Sequence, residues 1–320
     1  MISEEEAVRR FHERIVPRFL SHGVPRDQPV LVIVAGQPGA GKTAVEDRVG
    51  ATLGTGAVTI DADKFRPVHP DFIPLVTRDD RAASQATHGD AVRWVGMATR
   101  HCIEQRYDVV LSTTLRTPEA ARSVLGEFRD AGYRVEVVAM AVHETASRLS
   151  VLSRYQEGRA DVGYGRYVPE SFQRDAYAGL LSTMEHVERE HLADAVHVFL
   201  RDGTQVYGNA LGADGRWVSP PGARAAVETG RARPWSPAEI EQFEGRAGEL
   251  AEQLPPDLRG ELRAVTEDAR DRLVVRPQPP LAATAFPHPI GSRAGRASPY
   301  GPGSPGPGGP GPRPQRGRGR

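Results

Sequence analysis

LVIVAGQPGAGKT, residues Leu31–Thr43, decides how the rest of the chain is read. An apolar run rich in β-branched residues, Leu31 to Val34, enters Gly36-Gln37-Pro38-Gly39-Ala40-Gly41-Lys42-Thr43, a G-x-x-x-x-G-K-[ST] loop in the strand-then-helix context that the motif requires. Its glycines let successive backbone N–H groups turn inward around phosphate oxygens. Lys42 is then expected at the β- and γ-phosphates of a nucleotide and the Thr43 hydroxyl at Mg²⁺. Ala44 to Leu53 should form a helix whose positive end faces the anion. Composition singles out the same position: of 41 basic residues only Lys42 and Lys64 are lysine. A chain so biased toward arginine keeps lysine where a compact ammonium is preferred over a planar fork.

Working outward, residues 3–20 carry Val8, Phe11, Ile15 and Phe19 at helical spacing. Ala57–Ile60 reads as a second strand ending in Asp61-Ala62-Asp63, and residues 64–80 as a proline-punctuated loop. One long helix fits 82–105, with Val92, Val95, Ala98, Cys102 and Ile103 toward the core. Asp108–Ser112 is a third strand leading into Thr113-Thr114-Leu115-Arg116, and Pro118 suits the first turn of the next helix. Tyr133–Val142, nearly all apolar, reads as a strand covered on both faces. A helix over 144–157 carries Arg148 and Arg154, and a glycine-rich loop with Arg159 and Arg166 leads to a helix over 169–191. Val196–Leu200 and Gln205–Tyr207 complete the strands. Strands alternating with helices predict an α/β fold, three layers with a mostly parallel sheet and helices on both faces, and one cleft at the carboxyl ends of the strands.

Past residue 212 the pattern changes: 214–235 reads as irregular, and 236–253 and 257–274 as a helical hairpin around Pro255-Pro256, with Ser236 as N-cap and Glu239 three residues on. Three segments are expected: 1–212, a 213–275 helical extension, and a 276–320 Pro/Gly/Arg-rich tail without fixed structure. The tail holds seven arginines and no acid, so the 41-to-41 charge balance hides an acidic body. With almost no aromatics it reads as a solvated extension rather than a nucleic-acid binder. One cysteine, Cys102, excludes an internal disulfide. No secretory signal and no run of 18 apolar residues is seen, so a cytoplasmic protein without a membrane span is expected.

A phosphate loop alone does not separate a kinase from a GTPase or a motor ATPase. The small sheet, the lack of an N-K-x-D guanine reader, Asp63 just past a strand end, and Arg154 and Arg166 flanking a glycine-containing loop favour a kinase. Such an aspartate also serves as an N-cap or turn former, and Arg154 as a solvated helix face. His69 reads as a structural hydrogen-bonding residue, and Trp94 as core or sugar-site lining.

With these motifs in order, GQPGAGKT, IDADKFRPVHPDF, TTLR and SRY with Arg166 a dozen residues on, roughly residues 3–210 resemble the zeta toxin family, P-loop kinases that phosphorylate the 3′-hydroxyl of the amino sugar of UDP-N-acetylglucosamine. The resemblance implies ATP and Mg²⁺ as cofactors, Asp63 as catalytic base, Lys42 as the phosphate-loop lysine, and Arg154 and Arg166 as phosphate clamps. It also implies Thr114, Arg116 and Arg166 as substrate contacts, with an antitoxin as protein partner. Two positions depart from the family pattern. The third strand commonly ends there in an acid followed by Gly-Thr, where this chain has Ser112-Thr113-Thr114, and the preceding helix offers a carboxylate where this chain has Gly96. Both departures bear on the acceptor more than on the reaction. The alternative is an ATP-binding regulatory or toxin–antitoxin module with no or different transfer activity.

Overall fold

In the computed structural model, which describes residues 1–274 and 290–291, alternate side chains of β1 (Val30–Ala35) face two different cores. Leu31, Ile33 and Ala35 join one cluster, and Val30, Val32 and Val34 another. Both faces are therefore apolar, as a central parallel strand requires. β2 (Val58–Ile60), β3 (Val109–Thr113), β4 (Arg134–Met140), β5 (Ala195–Phe199) and β6 (Gln205–Ala210) complete a sheet of order β2-β3-β1-β4-β5-β6. The first five strands are parallel and β6 pairs antiparallel to β5. This is the three-layer, P-loop kinase-like α/β architecture expected from the sequence.

One layer begins with α1 (Glu4–Arg10), capped by Ser3 and continued over Phe11–Leu20 as a wider helix. The opposite face of the sheet carries α2 (Lys42–Leu53), which buries Val45, Val49 and Leu53. After β2 the chain is more helical than expected: α3 (Ala62–Phe65), a single tight turn over Arg66–Val68, and α4 (Phe72–Arg78) replace the proline-punctuated loop. Pro67 and Pro74 sit in first turns, where the missing N–H costs nothing.

The long helix expected over 82–105 is two, α5 (Asp80–Ala86) and α6 (His88–Gln105). They part at Thr87, whose hydroxyl donates to the Ala83 carbonyl at 2.9 Å and accepts from Arg66 at 3.1 Å. α6 buries Ala91, Trp94, Ala98 and Cys102, while Val92, expected inward, is 51% exposed. Trp94 belongs to the core, with its indole N–H on the Ala7 carbonyl at 3.0 Å. His69 is buried and shares a hydrogen bond with Asp90 at 3.2 Å, a structural role.

α7 (Pro118–Asp130), α8 (Glu144–Val162) and α9 (Glu170–Arg189) follow. The segment read as irregular contains α10 (Ala223–Ala232). The Glu188 carboxylate of α9 accepts from the backbone N–H groups of Gly222 and Ala223 at 2.9 and 2.8 Å, a cap supplied from afar. α11 (Pro237–Gln253) opens with the expected capping box of Ser236 and Glu239, and α12 (Arg259–Asp268) returns beside it. Their apolar faces pack with Leu149, Leu152 and Tyr155 of α8. The tail expected from Arg276 lies outside the described residues, apart from Ile290 and Gly291. No described helix is long and apolar enough to cross a membrane.

Candidate nucleotide and phosphoryl-transfer site

The loop between β1 and α2 is built from below. Gly39 and Gly41 take φ of +79° and +82°, a region costly for any residue with a Cβ. A Cβ at Gly39 would also stand 2.0 Å from the Ser147 carbonyl oxygen, so only glycine lets α8 pass so close. Gln37 is buried and ties the loop to that helix: its amide donates to the Val142 carbonyl at 2.9 Å and the Ser147 hydroxyl at 3.1 Å. The Gly36 N–H donates to the Thr113 carbonyl at 3.2 Å. Pro38 and Ala40 are buried, so the side that meets a ligand is Gly41–Thr43, with Thr43 exposed at the start of α2.

The first turn of α2 carries no acid, which leaves its N–H groups and dipole for an anion. Lys42 folds back over the loop, its ammonium donating to the Gly36 carbonyl at 3.0 Å and the Gln37 carbonyl at 3.5 Å. Burial pulls it down to about 8, and the charges it meets there are those of Glu46, Arg154, Asp61 and Arg166. Lys42, Arg154 and Arg166, predicted from separate segments, thus share one cleft. Arg154 projects from α8 with an exposed side chain, and the protein crowded around it lowers its guanidinium from the ordinary value.

Two aspartates leave β2. Asp61 accepts the Asp63 N–H at 2.9 Å and so caps α3. Its charge also acts on Lys42, Arg66, Arg154 and Arg166, which places it at the electrostatic centre of the cleft. The Asp63 carboxylate takes Arg66 at 3.1 Å on one oxygen and Arg166 on the other, in a half-buried pair. Arg166 is presented by an anchored loop. Asp80 gathers the Tyr155 hydroxyl, Arg159 and the Gly165 N–H within 3.0 Å. Arg159 therefore serves the anchor.

Thr114 and Arg116 leave the end of β3 through Leu115, a buried non-glycine residue at φ +47°. The Arg116 guanidinium lies 4.9 Å from the Phe172 ring centre on α9. Its backbone is so near that helix that a Cβ on Gly179 would fall 1.9 Å from the Arg116 carbonyl oxygen.

Two groups in the cleft were not singled out from sequence. Glu46 on α2 is buried, which raises its pKa, with Ser112 near it. Arg201, just past β5, reaches the Ser150 hydroxyl at 2.7 Å and passes beside Gly41. Beyond it a cleft of about 420 Å3 opens at the ends of β4 and β5, between His143 and Ser150 on one side and Trp235 and Phe243 on the other. The position of Glu46, three residues after Thr43, and the position of Arg201 at a strand end were the available signals.

The zeta toxin family model matches residues 20–211. Toxin PezT of Streptococcus pneumoniae is 25% identical over 181 residues, 56% of this chain and 72% of that protein. Toxin zeta of Enterococcus hirae is 24% identical over 182 residues, 57% of this chain and 64% of its own length. The structure of the Streptococcus pneumoniae PezAT toxin–antitoxin system superposes with a TM-score of 0.67 at 22% identity, over 79% of this chain and 99% of that one. The AvrRxo1-ORF1:ORF2 complex with ATP gives 0.51 at 15% identity, over 82% and 85%. These structures share the fold, and the family model spans more than half the sequence: the chain belongs to the zeta toxin family.

Proposed function

We propose that the chain is a kinase that transfers the γ-phosphoryl group of ATP to a hydroxyl of a nucleotide sugar, with UDP-N-acetylglucosamine the first acceptor to test. One observation carries the reading: at the open N-terminus of α2, Lys42 lies within the electrostatic reach of Asp61, Arg154 and Arg166, and Arg166 also holds Asp63. The positive-φ glycines, the acid-free first turn and the inward-turned ammonium fit a triphosphate, and the exposed Thr43 hydroxyl at the start of α2, with the carboxylates of Glu46 and Asp61 near one another, fits Mg²⁺. Mg²⁺ held at Thr43 would supply positive charge to offset the charge developing on the phosphates.

The chain's own groups then divide the work. Lys42 leaves the loop carbonyls for phosphate oxygens. Arg154 and Arg166 offset charge on the transferring group. Asp63 accepts the proton of the acceptor hydroxyl, whose oxygen bonds to the γ-phosphorus as the bond to the bridging oxygen breaks and ADP leaves. Thr114 and Arg116 face the acceptor side, and the 420 Å3 cleft past Arg201 takes the base of the donor. A family antitoxin partner would cover this donor side.

A second reading, an ATP-binding module without transfer, draws support from Ser112 at the strand end and from the two arginines on Asp63. Purified chain with Mg-ATP and a panel of UDP-sugars, followed by mass spectrometry for products heavier by one phosphate, separates the two. Tight ATP binding with no product from any sugar or cell extract would overturn transfer.

A further inference from the structure

Glu46 is the buried carboxylate of the cleft, 5% exposed on α2, and Thr43 lies three residues before it on the same helix face. Burying a carboxylate is costly without a partner that repays it. The Lys42 ammonium attracts it but makes its hydrogen bonds to the Gly36 and Gln37 carbonyls instead. Around it lie Ser112 and the charges of Asp61, Lys42 and Lys64. The register explains why these converge. Ser112 pairs with Val34 at the end of β3, and Ile60 pairs with Leu111, so Asp61 leaves β2 beside Ser112. A helix acid, a strand-end serine and a strand-end acid therefore converge at one end of the sheet, beside the helix whose first turn carries Thr43.

We propose that Glu46 is a positioning residue for the divalent cation at Thr43, supplying from α2 a carboxylate beside a strand end that itself carries only the Ser112 hydroxyl. It would accept hydrogen bonds from the cation's water and so orient the ion against the phosphates. The inference rests on the proposed nucleotide reading and concerns how that site couples ATP to metal. Ser112, short and neutral, leaves room for the glutamate to reach across, which an acid at 112 would oppose by like-charge repulsion.

Calorimetric ATP titrations with excess Mg²⁺ and with chelator give each protein's metal coupling, the ratio of the two affinities. Mn²⁺ paramagnetic resonance reports the ion directly. Glu46→Gln is expected to lower that coupling about 10–100-fold, the usual cost of losing a group that orients a metal's ligands, while metal-free ATP affinity stays equal or rises. The relocated pair Glu46→Gln with Ser112→Asp is expected to recover most of it. Coupling within threefold of wild type in Glu46→Gln overturns the inference. Should that variant not fold, Ser112→Ala is read against the same threshold. A wild-type chain that binds ATP without any metal coupling overturns this inference alone, and one that does not bind ATP overturns the nucleotide reading as well.

Discussion

Arg166 reaches from the loop between α8 and α9 to close an ion pair on the Asp63 carboxylate, while Arg66 holds the other oxygen of that carboxylate at 3.1 Å. A carboxylate committed to two guanidinium groups is not free to receive a proton. In the proposed reaction Arg166 must exchange Asp63 for a phosphate oxygen, and the base is released only when the donor is in place. Asp63→Asn is expected to lower single-turnover transfer about 10²–10⁴-fold with ATP affinity within a few fold, read by quenched-flow and calorimetry. A rate within a few fold of wild type would remove Asp63 from the chemistry.

Lys42 makes the loop sensitive to pH. With its ammonium pulled down to about 8 by burial, the empty site loses this charge as pH rises past that value. A bound triphosphate favours the charged form, so ATP affinity should weaken about tenfold between pH 7 and pH 9. Calorimetry across that range checks it. Stability runs the other way. The folded value lies below the ordinary 10.5, so the unfolded chain binds more protons between about 8 and 10.5. The cost of burying the charge is full below pH 8 and gone above 10.5. Lys42→Met should therefore melt higher than wild type at pH 7, with the advantage vanishing toward pH 10.5, while ATP binding is lost throughout.

How much of this was legible in the sequence divides along physical lines. β1, the glycines at 39 and 41, Lys42 and the Ser236 capping box follow from local rules, and the structure has them where the sequence does. The split at Thr87 was hidden because Arg66, 21 residues upstream, bonds its hydroxyl. α10 was missed because its cap comes from Glu188, 34 and 35 residues away. Within the site, motif order brought Lys42, Arg154 and Arg166 together. Sequence could not show that Asp61 lies at the centre of the cluster, since two aspartates two residues apart differ only in which way a short helix turns them.

Gly39 and Gly41 share a left-handed backbone but not the same surroundings. A Cβ at Gly41 would stand 3.6 Å from the Arg201 side chain, an ordinary contact, so Gly41→Ala should cost only the conformational penalty of about 1–2 kcal/mol. At Gly39 the added atom meets a backbone oxygen of α8 that no rotamer can move. Gly39→Ala should lower the melting temperature more than Gly41→Ala and abolish ATP binding, as thermal unfolding with and without nucleotide will show. Equal losses would mean that the approach of Ser147 does not constrain the loop.

The extension is fastened to the site through Arg148. This arginine is 4% exposed on α8, the helix that also carries Arg154, and it donates to Asp268 of α12 at 2.7 Å and reaches Glu170 of α9 at 2.9 Å. Because α11 and α12 also cover Leu149, Leu152 and Tyr155, α8 and the extension should open together. Removing residues 236–274 would expose that apolar face, and the shortened chain should bind a hydrophobic dye or aggregate rather than remain a free-standing kinase. Arg148→Ala is the milder test: losing charge-assisted hydrogen bonds should cost about 1–3 kcal/mol. Hydrogen exchange should quicken in α12 and in the α8 segment around Arg154 alike. Asp268→Asn should do less, because its carboxylate is 58% exposed and water replaces the bond. Faster exchange confined to α12 would show that the extension is a passenger on the helix that carries Arg154.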